Sequence, residues 1–366
     1  MNQKKTLMLA VVTALVLAAG VFLSLHREGS RSGIGGTEIF ADLEKSLAQV
    51  AEISLSKGDG SRTTLRKTEN GWSVVERGFP ADGTRVRELA LGLANLRVIE
   101  RKTSDPANYP RLGVEPTDTP TATGTLVEIR AGDKTWSVIV GKNADNRAVY
   151  VRKPDEAESL LASPFLSVDP DQKRWIDRLV VDVSGDHVHE ISVQRGKEPA
   201  YLLRRAERGA ELALTPVPKG REPASAMSLA SQADALVRFN FDDVRGLPDP
   251  APGFPDTATY RLFDGQVLEF RGRRDGEKSF ISVSARRDPA LAARFAASPE
   301  SATEKVAKGE SPGANPAADA APAGSAPVDQ WVGRLDARAR GVEFEIPLYK
   351  YEAIFKPLED LLEPKA

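Results

Sequence analysis

The chain of 366 residues contains no cysteine, only 3 histidines and 3 methionines, and an aromatic share of 6%. Without cysteine there are no thiolate metal sites, no cysteine nucleophile and no disulfide staples, so the fold must stand on its apolar core. The absence also suits an oxidising compartment, where a stray thiol is a liability. Three histidines cannot supply a three-imidazole site, because one of them, His26, stands apart in a polar stretch near the N-terminus. Charge of one sign is missing too: 52 acidic residues face 50 basic ones. No net field draws the chain to nucleic acid, which is not an expected partner. Neither a G-x-S-x-G elbow nor a Ser-x-x-Lys arrangement appears in a convincing context, and no G-x-x-x-x-G-K-[ST] loop exists. The one glycine-rich run, GSRSGIGG, has no strand before it.

What the chain does have is one long apolar run. From Thr6 to Leu25 it reads TLMLAVVTALVLAAGVFLSL without a charge. A helix of that length spans about 30 Å, the hydrocarbon thickness of a bilayer. Lys4 and Lys5 precede it, and basic flanks stay in the cytoplasm, so the bulk of the chain is expected outside the inner membrane, in the periplasm. A cleaved signal peptide would end at a small-residue site, but after Ala18, Ala19 and Gly20 the run continues through Val21, Phe22, Leu23 and Leu25. The expected partner of this segment is membrane lipid. The polar residues HREGSRSGIGG that follow read as a tether.

Beyond it the chain shows the same order of elements twice. VAEISLSKGDGSRTTLRKTENGWSVVE alternates apolar and polar residues between Gly-Asp-Gly and Glu-Asn-Gly turns, predicting three strands. Asp82 caps a helix with Val86, Leu89, Leu93 and Leu96 at spacings of three and four, and a strand follows over 97–101. After YPRLGVEP come LVEIRAGDKTWSVIVG and RAVYV, then a short helix over DEAESLLASPFL. The second pass opens with VHEISVQRGKEPAYLLRRAERGAELAL, repeating Glu-Ile-Ser (Glu52 to Ser54, Glu190 to Ser192). A helix over 225–237, a strand over 238–244, TYRLFDGQVLEFRG and a closing GVEFEIPLYKYEAIFKPLEDLL follow. The alanine- and proline-rich stretch from about Ser298 is expected to lie outside any core. Trp175 and Trp331 both stand in a W-x-x-R-L frame.

The expectation is an α+β chain: a single N-terminal transmembrane helix followed by two tandem repeats of antiparallel β-sheet with packed helices. Its parts are a cytoplasmic N-terminus (1–5), an anchor (6–25), a tether (26–46), a first repeat (47–170), a second repeat (171–297), a disordered insertion (298–330) and a closing strand and helix (331–366).

Several residues bear on chemistry. Asp186, His187, His189 and Glu190 form the most metal-like cluster, since residues two apart share a strand face. The plainer reading, preferred here, is outward-facing polar residues near the start of an edge strand. Asp242 with Asp243, and Glu359 with Asp360, are paired carboxylates; adjacent strand residues point to opposite faces, and the second pair sits on a helix among leucines, so both read as surface groups. Trp72, Trp136, Tyr150 and Phe270 read as core aromatics. Tyr349, Tyr351 and Phe355 are candidates for a docking face. No catalytic, cofactor-binding or metal-binding residue is assigned.

The chain resembles the bacterial membrane-anchored family called domain of unknown function 4340. The likeness rests on the short anchor, the Gly71-Trp72 hairpin, the Leu-Gly-x-x-Pro loop at Leu112 to Pro116, the V-x-V-G then V-Y-V run at Val138 to Val151, and the closing FEIPLYKYEA and LEDLL. The resemblance implies an accessory role beside ABC-type transporters and carries no active-site residues. The expected function is a membrane-anchored, non-catalytic interaction protein of the periplasm. The alternatives are an envelope hydrolase with a carboxylate site and a binder of glycan or small ligands.

Overall fold

The computed structural model describes residues 36–296 and 325–364. It is mostly antiparallel β-sheet with several helices, as expected of an α+β chain. The anchor at 6–25 and the first part of the tether lie outside the described residues, and no described helix is long and apolar enough to cross a membrane. Two compact units are present: one comprises residues up to Glu76 with Arg85–Trp175, the other Arg77–Thr84 with Ile176 onward.

In unit 1 a short helix, α1 (Leu43–Ser46), precedes the predicted three strands β1 (Val50–Ser56), β2 (Arg62–Thr68) and β3 (Gly71–Val74). The two-residue strand β4 (Phe79–Pro80) falls in unit 2. Helix α2 (Gly83–Ala94) starts where Asp82 accepts a hydrogen bond from the Thr84 amide (3.0 Å), and its predicted stripe Val86, Leu89 and Leu93 is buried, with Leu96 behind it. Then come β5 (Arg97–Arg101), α3 (Tyr109–Leu112), β6 (Thr125–Ala131), β7 (Lys134–Asn143), β8 (Val149–Arg152) and β9 (Ser159–Ser163). The strand order is β3-β2-β1-β6-β7-β8-β9-β5.

Unit 2 builds β10 (Leu179–Val181), β11 (Val188–Arg195), β12 (Tyr201–Arg204), β13 (Ala213–Thr215), helix α4 (Ala226–Ala233), β14 (Phe239–Asn240), β15 (Asp243–Gly246), β16 (Asp256–Leu262), β17 (Gln266–Asp275) and β18 (Lys278–Arg287). Helices α5 (Pro289–Ala296) and α6 (Ser325–Ala339), strand β19 (Val342–Ile346) and helix α7 (Leu348–Ile354) complete it. Its main sheet runs β13-β12-β11-β16-β17-β18-β19-β15, the same path as in unit 1 with ten added to each strand number; β10 and β14 pair separately. The agreement extends to register. Glu52 stands opposite Arg66 and Arg130, and Glu190 opposite Arg204 and Arg261, each beside a register shift two residues earlier.

Those partners make ion pairs. Arg66 Nε lies 3.0 Å from Glu52, and Arg130 3.5 Å from its other oxygen. Arg204 Nε and Arg261 Nη1 lie 2.6 and 3.1 Å from Glu190. The repeated Glu-Ile-Ser thus marks a three-strand clamp on the face opposite the buried isoleucine. Unit 2 adds a further clamp: Glu343, fully buried, is held by Arg245 (2.7 Å) and Arg273 (2.9 Å), whose guanidiniums both lie over the Phe280 ring.

Several expectations are corrected. The segment DEAESLLASPFL is not a helix: Ser159–Ser163 is β9, paired with both β8 and β5, and Ser159 Oγ donates to the Thr103 carbonyl (2.7 Å). Pro164 directly after it disfavours helix at Ser163, and pairing on both sides overrides local propensity. By topology β9 corresponds to β19 and β8 to β18, so AVYV and GVEFEI, alike in sequence, occupy non-equivalent strands. Gly141 and Gly272, which end the similar runs LVEIRAGDKTWSVIVG and TYRLFDGQVLEFRG, are also one residue out of step. Ile53, Ile129 and Trp136 align with Ile191, Tyr260 and Leu268, which places Gly141 against Arg273.

The tether's second part is not free of the fold: Ile39, Phe40 and Leu43 are buried. Most of the stretch expected to be disordered (298–330) lies outside the described residues, up to residue 324, but its end belongs to α6, where Val328, Trp331, Val332, Leu335 and Ala339 are buried at helical spacing against β18. Trp175 instead ends a 3-10 turn, so the shared W-x-x-R-L frame has two unrelated structures. The single strand expected over 238–244 is broken into β14 and β15, with Arg238 at φ +45°.

Replacing Glu190 by alanine leaves two facing guanidiniums without their shared carboxylate. The expected loss, about 1–3 kcal/mol, lies between the surface and buried limits for ion pairs, and urea unfolding followed by circular dichroism measures it. Glu52→Ala, at the more exposed clamp, should cost less.

Candidate functional site

The residues proposed as a docking face divide sharply on folding. Tyr351 and Phe355 are buried at 1% and 0%, while Tyr349 is 68% exposed, so only Tyr349 survives from that set. The inward pair explains a glycine. A Cβ on Gly272 would fall 2.4 Å from the Phe355 ring and 2.8 Å from that of Tyr351, so the rings lie directly on the β17 backbone.

Around them a polar network fixes the helices from beneath. Gln232, on α4 and 1% exposed, donates to the Tyr201 hydroxyl (2.8 Å) and to the Ile354 carbonyl at the end of α7 (3.3 Å). Tyr201 donates to the Lys356 carbonyl (2.8 Å), Tyr260 to the Gln232 carbonyl (3.4 Å), and Tyr351 to the Asp256 carboxylate. Burial pushes all three phenols above their ordinary pKa, and for Tyr351 the bond to Asp256 adds to it. They act as hydrogen-bonding struts and stay protonated. Lys356 reaches Ser231 on α4 (3.1 Å), and Lys350 donates to the Asn240 carbonyl (2.7 Å) over the Phe239 ring, with burial lowering its pKa.

Helices α4 and α7, packed together, therefore form a rigid support. From it Met227 (83% exposed), Leu348 (40%) and Tyr349 stand in solvent. Leu348 and Tyr349 are neighbours at the start of α7, while Met227 stands separately at the first turn of α4. The sequence placed Tyr349 in a candidate face but missed Met227, whose position at the first turn of α4 after the Ser225 cap was the available signal.

The metal-like cluster does not form. His189 is buried at 2% and lies against the rings of Phe263 (5.2 Å) and Phe295 (4.7 Å); His187 sits in a 3-10 turn and Asp186 is exposed. Glu190 is spent on its two arginines. The expectation of outward-facing residues on an edge strand is wrong for both, because β11 lies inside the sheet between β12 and β16. No group of three metal-ligating side chains exists among the described residues. Nδ1 of His189 has no hydrogen-bond partner among them, and burial lowers its pKa.

Of the paired carboxylates, the side chains of Asp242 and Glu359 are exposed and paired with Arg178 and Arg221 (2.9 Å for the latter), whereas that of Asp243 is largely buried, 3.5 Å from Arg77. Of the core aromatics, Phe270 is fully buried, and Trp72, Trp136 and Tyr150 are half-buried.

Unit 1 contributes two clefts that share Phe165. One, of about 360 Å³, is lined by Arg85, Glu88, Asp169, Arg174 and Trp175 among others; Asp169 is tied to Arg174 (3.0 Å) and Glu88 is exposed. The other, of about 560 Å³, is wide open between Ile99, Arg147 and Phe165.

The Leu-Gly-x-x-Pro loop also acquires a physical role in this unit. Gly113 takes a left-handed conformation (φ +72°), and a Cβ on Gly124 or Gly141 would lie 2.4 Å from the carbonyl of Gly113 or Leu112. Arg152 locks the loop by donating to the Val114 carbonyl (2.8 Å). The loop lies on bare backbone, which is why glycine stands on both strands at that end of the β6–β7 pair. Residues 72–262, starting one residue into β3 and holding this loop, match the family described as domain of unknown function (DUF4340). The chain belongs to the DUF4340 family. Comparison with curated proteins finds no match, nor does comparison with solved structures. The DUF4340 match ends at Leu262, the last residue of β16, so it holds neither α7 nor its exposed Tyr349.

Two measurements check this description. His189, neutral when folded and with a depressed pKa, takes up a proton more readily when unfolded. Stability of unit 2 should therefore fall as pH drops below about 6.5, by at most about 1.4 kcal/mol per pH unit from this group. His189→Leu should flatten that part of the melting-temperature profile. Gln232→Ala, which strips the Ile354 carbonyl of its donor, should cost about 1–3 kcal/mol in chemical unfolding.

Proposed function

We propose that this DUF4340 protein is a membrane-tethered, non-catalytic interaction protein. The uncharged run 6–25 would hold it in the inner membrane with its bulk in the periplasm, where it works with other envelope proteins such as subunits of an ABC-type transporter. The hydropathy of that run and the lysines before it support the anchoring. The identical strand order of the units supports an origin by internal duplication.

The observation that carries the binding role is the exposure of large apolar side chains on two braced helices, Leu348 and Tyr349 on α7 and Met227 on α4. Met227, Leu348 and Tyr349 are exposed on helices whose undersides are pinned by buried hydrogen bonds. A partner meeting such a surface orders few groups of this protein, so little conformational entropy opposes association. The buried carboxylates Glu190 and Glu343 support a non-catalytic reading, because each is gripped by two arginines inside its sheet.

A photoreactive residue at Met227 or Tyr349 in intact membranes should give a discrete adduct identifiable by mass spectrometry as an envelope protein, while the same probe at exposed Lys219 should not. Tyr349→Glu should reduce recovery of that partner at least tenfold without altering the circular dichroism spectrum. Equal labelling from all three positions would remove the proposal.

A further inference from the structure

We propose that unit 1 docks on the bilayer itself, through the apolar end of its sheet formed by Ile99 and Phe165. The proposal rests on the anchored reading above and adds which face meets the lipid.

The point where the N-terminal part of the chain joins the fold sets the geometry. Residues 37–39 run antiparallel to the edge strand β5: the Ile39 amide donates to the Leu96 carbonyl (2.9 Å), Glu38 bridges Arg97, and the Val98 amide donates to the Thr37 carbonyl (3.0 Å). That register puts Gly36 level with Ile99. Gly36 is pressed so close that a Cβ there would sit 1.9 Å from the Val98 carbonyl oxygen, so the junction is fixed against the edge. The 35 preceding residues, including the apolar run, therefore join unit 1 beside Ile99. Only residues 26–35 separate that run from Gly36. Ten residues reach at most about 35 Å, whatever their conformation.

At this place the surface is apolar. Ile99 is 49% exposed and Phe165 40%, on either side of the open cleft. Around them the charges cancel: Arg97 pairs with Glu38, Lys102 with Glu100 and Arg101 with Glu158, and Arg147 stands beside Asp145 in the cleft lining. A neutral rim around two large apolar side chains fits the bilayer interface by insertion and gives no reason for preferring anionic lipid. A short tether makes this a high local-concentration encounter, so a patch too small to bind lipid from free solution suffices.

The chain has no cysteine, which allows a single environment-sensitive fluorophore on the full-length protein. Ile99→Cys and Phe165→Cys would be labelled and reconstituted in vesicles carrying lipid-borne quenchers, with Glu69→Cys as reference. Glu69 is exposed at the β2–β3 turn, on the opposite edge of the same sheet. Quenching at Ile99 and Phe165 should exceed that at Glu69 at least threefold, and should agree within twofold between zwitterionic vesicles and vesicles with a third anionic lipid. Equal quenching at all three positions overturns the proposal. Quenching seen only with anionic lipid overturns insertion of a neutral patch. Ready disulfide formation between Ile99→Cys chains would make this face a contact between copies, which also overturns it. Flotation after an alkaline wash separates the two readings: a chain that no longer floats with the vesicles defeats the anchoring, whereas one that floats unquenched defeats only the docking.

Discussion

Each sheet is organised by one carboxylate held between two arginines on the strands to either side, Glu52 in the first unit and Glu190 in the second. In a strand the side chains alternate faces, so a slip of one residue would turn the glutamate toward the core and the neighbouring isoleucine toward water. Burial of the isoleucine on one face and the clamp on the other therefore agree on a single register for the three strands. Without disulfides, this register control and the apolar faces it hides are what hold the units together.

The shared strand path makes the differences between units informative. The first covers the end of its β6–β7 pair with a loop lying on glycine backbone, locked by Arg152. In the second, aromatic rings from α7 lie on Gly272, and the helix is secured by a buried network of tyrosines and Gln232. The same scaffold thus carries a fixed loop in one unit and a braced pair of helices in the other. Apolar side chains remain on the braced pair, and that is where recognition is assigned.

Many of the buried polar groups among the described residues stabilise the fold. Phenols held protonated by burial, carboxylates committed to guanidiniums and a histidine wedged between phenylalanines all stabilise one conformation.

Much of this was legible in the residues alone. Two-residue alternation gave the hairpins, Asp82 and the 86, 89, 93, 96 stripe gave α2, and the paired Glu-Ile-Ser located the corresponding strands, because these signals are local. Other features depended on partners distant in sequence. Ser159–Ser163 has helix-forming neighbours but became a strand, since two flanking strands saturate its backbone. Tyr349 and Tyr351 look alike in a sequence; a helix turns them roughly 200° apart, and only the packing of α7 on β17 decides which is buried. His189 looked polar and exposed because histidine usually is, and its burial follows from the position of β11 inside the sheet. Periodicity is written in the chain because the backbone repeats, whereas the choice of which face is covered belongs to the fold, where the covering residues come from elsewhere.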